Sequence, residues 1–138
     1  MLEKEAAQSP VGSNGVMFLP YLQGERCPHV DADVRGTFLG LGLYSNRNDM
    51  VRSVLEGVAM SLRDAYEYIG AQKVEEICLS GGGASSALWR QIHADLFNAD
   101  VITYSGTEDA GAIGAGIIGG LAVGLWEKPE DAIKNFAI

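Results

Sequence analysis

The longest periodic pattern in the chain lies between residues 47 and 69, where apolar positions recur at spacings of three and four and predict an amphipathic α-helix. The predicted buried face carries Val51, Val54, Leu55, Val58, Leu62, Ala65, Tyr66 and Ile69. The opposite face carries two i,i+4 pairs of opposite charge, Arg52/Glu56 and Arg63/Glu67. Asn46 is a suitable N-cap, and Gly70 a suitable left-handed residue after the last turn.

Short apolar runs interrupted by turn residues predict strands, at residues 16–19, 37–41, 77–80 and 101–104. The third run leads through a glycine turn to a helix opened by Ser85 or Ser86, whose apolar side carries Leu88, Trp89, Ile92, Leu96 and Phe97. After the fourth run, Thr107 is a suitable N-cap for a Gly/Ala-rich helix, and Pro129 begins a last short helix that extends to Phe136. This alternation predicts an α/β fold with at least two parallel strands.

The first 15 residues are polar and contain Pro10 and Gly12, so we expect a tail or linker there. Within the predicted strands and helices, we expect Cys78 to be a small core residue and His93 to lie at the surface or half-buried.

The length, net charge and cysteine content of the chain exclude several classes of protein. The 138 residues suffice for about one domain. A net charge of −8 without a dense basic tract argues against nucleic acid as a partner. The two cysteines match no zinc or redox spacing, and with no secretory signal we expect a cytoplasmic protein. Residues 110–126 are uncharged, but ten of the 17 are Gly or Ala, so we expect a packed helix and no membrane span.

Three consecutive glycines, Gly81, Gly82 and Gly83, follow the third predicted strand and precede a helix. Glycine has a large entropic cost in a folded chain, so the fold must gain from backbone freedom or from close approach at this turn. Without Cβ atoms, backbone N–H groups can converge on a ligand, and the helix N-terminus favours an anion such as phosphate. The alternative is a tight turn without a ligand, since the segment matches neither a P-loop nor a dinucleotide fingerprint.

Two other patterns carry weaker signals. A formal GxGxxG at Gly114, Gly116 and Gly119 falls inside the predicted Gly/Ala-rich helix, where we expect close packing and no dinucleotide. The loop at residues 19–29 contains Glu25, Arg26 and His29. These could act as acid or base, but a structural ion pair, between Glu25 and Arg26 or to neighbouring groups, is the simpler interpretation.

The motifs, taken in order, resemble the FGGY carbohydrate kinases, and within them the xylulokinase branch. The matching segments are FLPYLQGERCPH at 18–29, Asp31, Arg35-Gly36, Phe38, Gly40-Leu41, VLEGVA at 54–59, LRD at 62–64, SGGGA at 80–84, SALWRQ at 86–91 and DAGAIGA at 109–115. Gluconokinases carry a similar LPYL loop, but Pro28-His29 followed by Asp31 resembles xylulokinase more closely.

The resemblance implies an actin/hexokinase-like (ribonuclease H-like) ATPase fold, with a mixed sheet flanked by helices and ATP bound between two domains. Residues 16–138 would be the C-terminal, incomplete part of the second, nucleotide-binding domain. By the same resemblance, Gly81, Gly82 and Gly83 would contact the adenosine part of ATP, and Ser86 would line that pocket. ATP and Mg²⁺ would serve the transfer of the γ-phosphoryl group to a ketose, D-xylulose in the nearest branch.

Family kinases are much longer than this chain, and the aspartate that acts as their general base precedes the segment present here. No catalytic residue is therefore expected within residues 1–138, and no phosphoryl transfer by this segment alone. We also expect exposed apolar surface and self-association, for example as a homodimer. Another FGGY kinase, such as a gluconokinase, and a non-catalytic nucleotide-binding or assembly module remain alternatives.

Overall fold

A computed structural model describes residues 2–70, 72–103 and 109–133. Five helices and four short strands occur in these ranges, in the order α1 Leu2–Ala6, β1 Met17–Leu19, β2 Thr37–Leu39, α2 Arg47–Tyr68, β3 Glu76–Cys78, α3 Ala87–Phe97, β4 Asp100–Ile102, α4 Ala110–Ala122 and α5 Pro129–Ile133. The expected positions Tyr104, Thr107 and Phe136 lie outside the described residues.

The strands form two separate pairs. β1 and β2 are antiparallel, with Phe18 opposite Phe38 and their rings 4.7 Å apart. β3 and β4 are parallel, with Ile77 opposite Val101, and α3 connects them as a crossover helix. The expected parallel strands are therefore confirmed, and both strand orientations occur in the α/β fold.

α2 is the central helix, and its ends lie where the sequence predicts them. The Asn46 side chain accepts hydrogen bonds from the backbone N–H groups of Asn48 and Asp49, and the Asp49 carboxylate accepts from the Asn46 N–H in return. This capping box satisfies donors that the first helical turn leaves unpaired. At the other end, Gly70 has a φ of +68° and terminates the helix.

β1 packs directly across α2 at Gly57. A Cβ atom at this position would collide with the carbonyl of Phe18, so the helix and the strand approach more closely than any other residue would allow. This close approach explains a glycine in the interior of an otherwise regular helix, where it costs about 1 kcal/mol relative to alanine.

The predicted burial of the α2 faces is wrong. Arg52 and Glu56 are buried, with side chains only 8% and 9% exposed, whereas Leu62 on the predicted core face is 51% exposed. The polar pair is buried because the segment before β1 supplies its hydrogen-bond partners, the Ser9 carbonyl and the Ser13 hydroxyl. Periodicity alone does not show which face another segment will cover.

The expectation of a tail or linker is likewise wrong for residues 2–15. Helix α1 packs against α2, and Ala6, Ser9 and Ser13 are buried. Two carboxylates of α2 hold this segment in place, since Ser9 Oγ donates to Asp49 at 2.6 Å and Ser13 Oγ donates to Glu56 at 2.9 Å. A segment that is polar in sequence is thus buried through hydrogen bonds.

Two single-residue expectations also differ from the structure. His93 is 2% exposed, because its ring stacks parallel to that of Phe97 and lies 4.4 Å from that of Trp89. Cys78 is exposed. It is the last residue of β3, and little of the described chain packs against this strand.

The Gly/Ala-rich stretch forms α4, and the glycines of the formal GxGxxG lie inside this helix as predicted. Close packing occurs at Gly120, where a Cβ atom would collide with the Trp126 ring, whereas Gly114, Gly116 and Gly119 face open space. Among the described residues no helix is both long and apolar enough to cross a bilayer.

The chain exposes more surface than a compact protein of its mass. Its accessible surface is 9371 Å², against about 6,900 Å² expected for a folded monomer of this size. The buried hydrophobic residues of the described ranges are mostly small: Ala6, Val16, Ala59, Ala84, Ile92 and Ala132. Large side chains such as Leu43 and Tyr44 are 100% and 96% exposed, so the expected apolar surface is present.

Candidate functional site

The glycine turn after β3 is the best-formed candidate site. Gly81 has φ +79° and ψ −179°, a backbone conformation that L side chains rarely adopt. The chain then makes a 3₁₀ turn at Gly82–Ser85, with the N–H of Ala84 donating to the Gly81 carbonyl at 3.0 Å. The first amides of such a turn have no partner within it.

The three glycines are not equivalent. A Cβ atom added to Gly81 or Gly82 would meet nothing within 4 Å, whereas one added to Gly83 would lie 3.2 Å from Trp89 Nε1. The first two glycines therefore leave bare peptide groups facing open space, and the third lets the turn pack against the indole. Within the part of the chain that the structure describes, no atom lies within 4 Å of where a Cβ of Gly81 or Gly82 would stand.

Ser86 is the N-cap of α3, as its position predicts. Its Oγ accepts a hydrogen bond from the Trp89 N–H at 3.1 Å and donates one to Glu3 Oε1 at 2.6 Å. The N–H of Leu88 also points to this carboxylate, at 3.5 Å. The Ser86 hydroxyl, followed by the Leu88 N–H, lowers the pKa of Glu3 below its ordinary value.

The α3 N-terminus is thus occupied by a carboxylate of the same chain. A helix N-terminus favours one anion in this position, and Glu3 supplies it. A phosphate at this helix end stays a prediction, since the anion beside it in the structure is Glu3. Gly81 and Gly82 lie before this helix end, at the start of the 3₁₀ turn.

Beside the turn lies a cavity of about 350 Å³ that is lined largely by apolar side chains. Its lining includes three aliphatic residues of α2 and the indole of α3, namely Val51, Val54, Leu55 and Trp89. Gly83, Ser86 and Glu3 supply the polar edge. An apolar cavity with a few polar groups at one side is the usual form of a small-molecule site.

The loop before β2 does not assemble the acid–base group that its residues suggested. Glu25 Oε1 accepts from the backbone N–H groups of Arg26 and Cys27, at 2.6 and 2.8 Å, so this carboxylate stabilises the turn. The salt bridges of the described ranges do not pair Glu25 with the Arg26 guanidinium.

His29 instead pairs with a residue of α2. Its Nε2 lies 2.7 Å from Asp64 Oδ2, which fastens the loop to the helix as an ion pair when the imidazole is protonated. Burial, followed by the charges of Asp64 and Glu25, raises the pKa of the nearby Tyr21 phenol. The expected ion pair of Glu25 or Arg26 is therefore not among the salt bridges of the described residues, and the loop contacts α2 through His29 and Asp64 instead.

The described residues hold no group of three or more His, Cys, Asp or Glu side chains arranged to bind a metal ion. The candidate site is lined by apolar side chains of α2 and α3, with Gly83, Ser86 and Glu3 at its polar edge.

Comparison with known proteins identifies the family. The profile of the FGGY family of carbohydrate kinases, C-terminal domain, matches residues 1–123. The chain belongs to this family. This match confirms the resemblance that the sequence motifs indicated. The structure of the chain is part of an actin/hexokinase-like ATPase fold.

Individual relatives point to sugar kinases. The chain is 36% identical to a xylulose kinase of Staphylococcus epidermidis over 133 residues, which is 95% of this chain and 27% of that protein. It is 37% identical to a gluconokinase of Bacillus subtilis over 138 residues, covering 98% of this chain and 26% of the relative. The crystal structure of ligand-bound xylulose kinase from Lactobacillus acidophilus matches with a TM-score of 0.82 at 33% identity, covering 99% of this chain and 28% of that chain. The chain therefore spans about a quarter of the length of the relatives it matches.

The structure brings together the residues that the sequence singled out, because Gly81, Gly82, Gly83 and Ser86 form one continuous turn. Sequence reasoning missed Glu3, which lies 83 positions before Ser86 and belongs to a segment expected to be a tail. No local pattern could have found it, since the contact depends on how α1 folds back onto α3.

Proposed function

We propose that this chain is the nucleotide-binding portion of an FGGY sugar kinase that transfers the γ-phosphoryl group of ATP to D-xylulose. The observation that carries the proposal is the glycine turn, which borders an apolar cavity through Gly83 and has no described atom within 4 Å of an added Cβ at Gly81 or Gly82. Membership in the FGGY family and the similarity to xylulose kinases support it.

In this proposal, residues 81–83 contact the adenosine part of ATP through backbone atoms. A nucleoside offers a flat apolar base and a polar ribose, and the site offers an apolar lining with polar groups at one edge. The net charge of −8 makes backbone donors a suitable means of holding an anionic ligand in this chain. The contribution of this segment is positioning, on which phosphoryl transfer depends.

Mg²⁺ would accompany ATP and neutralise charge on the phosphates. A Mg²⁺ ion that accompanies a nucleotide is held mainly by phosphate oxygens and water, so it needs few protein ligands. The general base is expected outside residues 1–138. We therefore assign neither catalytic nor metal-binding side chains here.

The sugar is the least constrained part of the proposal. Similarity to a gluconokinase of Bacillus subtilis favours gluconate as the second candidate substrate. A panel of ketoses and sugar acids, assayed with the full protein encoded by the reading frame that contains these residues, distinguishes the two. We expect the protein to phosphorylate D-xylulose. If it phosphorylates only gluconate, the proposed substrate changes to gluconate.

The nucleotide site is tested by Gly82→Val in that full protein. The branched side chain would fill the open space in front of the turn, and we expect adenine nucleotide to bind at least about tenfold more weakly, or about 1.4 kcal/mol. Gly42→Val is the matched control, because Gly42 also faces open space without a positive φ but lies in the loop before α2.

Isothermal titration with ATP and ADP gives the affinities, and thermal melting checks that both variants fold. Unchanged affinity in Gly82→Val, or the same loss in Gly42→Val, would contradict the assignment. A wild-type protein that binds no adenine nucleotide would overturn the proposed function altogether.

A further inference from the structure

The Glu3 carboxylate lies at the polar edge of the cavity described above and is held in a defined position. Ser86 Oγ donates to its Oε1 at 2.6 Å, and the Leu88 N–H approaches the same oxygen at 3.5 Å. No cation of the chain forms a salt bridge with it among the described residues. The carboxylate is thus oriented by neutral donors and keeps its full negative charge.

Like any exposed carboxylate, Glu3 is ionised at neutral pH, and its hydrogen bonds with Ser86 and Leu88 lower its pKa further. An ionised carboxylate only accepts hydrogen bonds. Any ligand group placed against it must therefore be a donor, and a phosphate or carbonyl oxygen would be repelled. The cavity consequently has a chemical polarity, with an apolar lining and one acceptor at its edge.

This polarity distinguishes purine bases. Adenine carries an amino group, a hydrogen-bond donor, at C6, whereas hypoxanthine and guanine carry a keto oxygen, an acceptor, at the same position. The base would occupy the apolar cavity of about 350 Å³, with its C6 edge toward Glu3.

We propose that Glu3 is a specificity-determining residue that selects a 6-amino purine nucleotide over a 6-keto purine nucleotide. This inference rests on the proposed function, since it presupposes that the cavity beside Gly83 and Ser86 holds the base. It adds a determinant from α1, outside the glycine turn. It also orients the nucleotide, because the phosphates must point away from the α3 N-terminus.

The experiment compares the affinities for ATP and for inosine 5′-triphosphate in the full protein encoded by the reading frame that contains these residues. Glu3→Gln preserves the size of the side chain and an oxygen that accepts from Ser86, but it adds an amide donor for a keto oxygen. We expect the ATP/ITP affinity ratio to fall about 10- to 100-fold, the range for one hydrogen bond to a charged group. ATP should bind more weakly and ITP more tightly.

The matched control is Glu5→Gln, which removes the same charge from α1. Glu5 pairs with Arg47 at 2.7 Å and does not line the cavity, so the ratio should stay unchanged. A merely structural role of Glu3 would weaken both nucleotides together, and this parallel loss would overturn the inference. An unchanged ATP/ITP affinity ratio in Glu3→Gln would also overturn the inference. The proposed function would still stand if the wild-type protein binds ATP.

Failure of the wild-type protein to bind either nucleotide would instead overturn the proposed function, and this inference with it. Ser86→Ala provides a second variant, because it removes the hydroxyl that orients Glu3. We expect the ATP/ITP ratio to fall in this variant as well, and an unchanged ratio in both variants would contradict the role assigned to the carboxylate.

Discussion

The pair Arg52/Glu56 allows a sharp test of how the N-terminal segment is held. Arg52 Nε donates to Glu56 Oε1 at 2.7 Å, and Gly12 N–H and Ser13 Oγ donate to the same carboxylate at 3.1 and 2.9 Å. Both charged side chains are less than one-tenth exposed. The change Glu56→Gln keeps the shape and one acceptor, but leaves the Arg52 guanidinium buried without a counter-charge.

The expected cost follows from burial. Removing one partner of a buried ion pair costs about 3–5 kcal/mol, because the remaining charge stays desolvated. For a chain of 138 residues this corresponds to a decrease in melting temperature of about 10–17 °C.

The same helix provides a control of equal geometry. Arg63 Nε donates to Glu67 at 2.7 Å, also at i,i+4, but these side chains are 34% and 62% exposed. An exposed pair of this kind contributes only about 0.3–0.5 kcal/mol. Glu67→Gln also leaves the contact of Arg63 with the Leu96 carbonyl intact, so its melting temperature should stay within about 2 °C of the wild type.

Urea denaturation and thermal melting of the three proteins measure the difference. A third variant, Arg52→Met with Glu56→Gln, removes the uncompensated charge and should recover much of the stability lost in the single variant. Equal effects of Glu56→Gln and Glu67→Gln would refute the reasoning. A double variant less stable than Glu56→Gln would show that the buried charge is not the cause.

Two further predictions concern pH and association. The hydrogen bond from Ser9, followed by that from the Asn46 N–H, lowers the pKa of Asp49, so its stabilising contribution is present above the unfolded pKa of about 3.9 and is lost as the pH falls through the lower folded value. Asp49→Asn should therefore flatten the fall in melting temperature between about pH 5 and pH 2, and an unaltered acid profile would contradict this assignment. The surface excess of about 2,400 Å² per chain exceeds the roughly 800 Å² that each partner buries in a standard interface, so we expect the isolated chain to self-associate, which sedimentation velocity over a concentration series measures. A monomer at every concentration would show that this surface does not drive association.

Local features of the fold were predictable because they depend on residues within a few positions of one another. The bounds and capping of α2, the N-cap role of Ser86 and the parallel strands around α3 all follow from short-range patterns. The glycine turn was predictable for the same reason, since the positive φ at Gly81 is a property of consecutive residues.

Burial was less predictable, because periodicity identifies the two faces of a helix but not the segment that covers each of them. The face of α2 with Arg52 and Glu56 is buried by residues 9–13, which supply polar partners over more than 40 positions of sequence. The aliphatic face instead borders the candidate cavity. The ring contacts of His93 are local by contrast, because Trp89 and Phe97 lie one helical turn before and after it in α3.

The amino-acid sequence by itself determined the helices and strands, the glycine turn and membership in the FGGY family, since each is encoded in contiguous residues or in motifs of fixed order. Only the tertiary structure decided that a carboxylate from α1 occupies the start of α3, and that a charged pair lies beneath an N-terminal segment. The physical reason is that a hydrogen bond between residues 3 and 86 depends on the path of the whole chain, and no local propensity specifies that path.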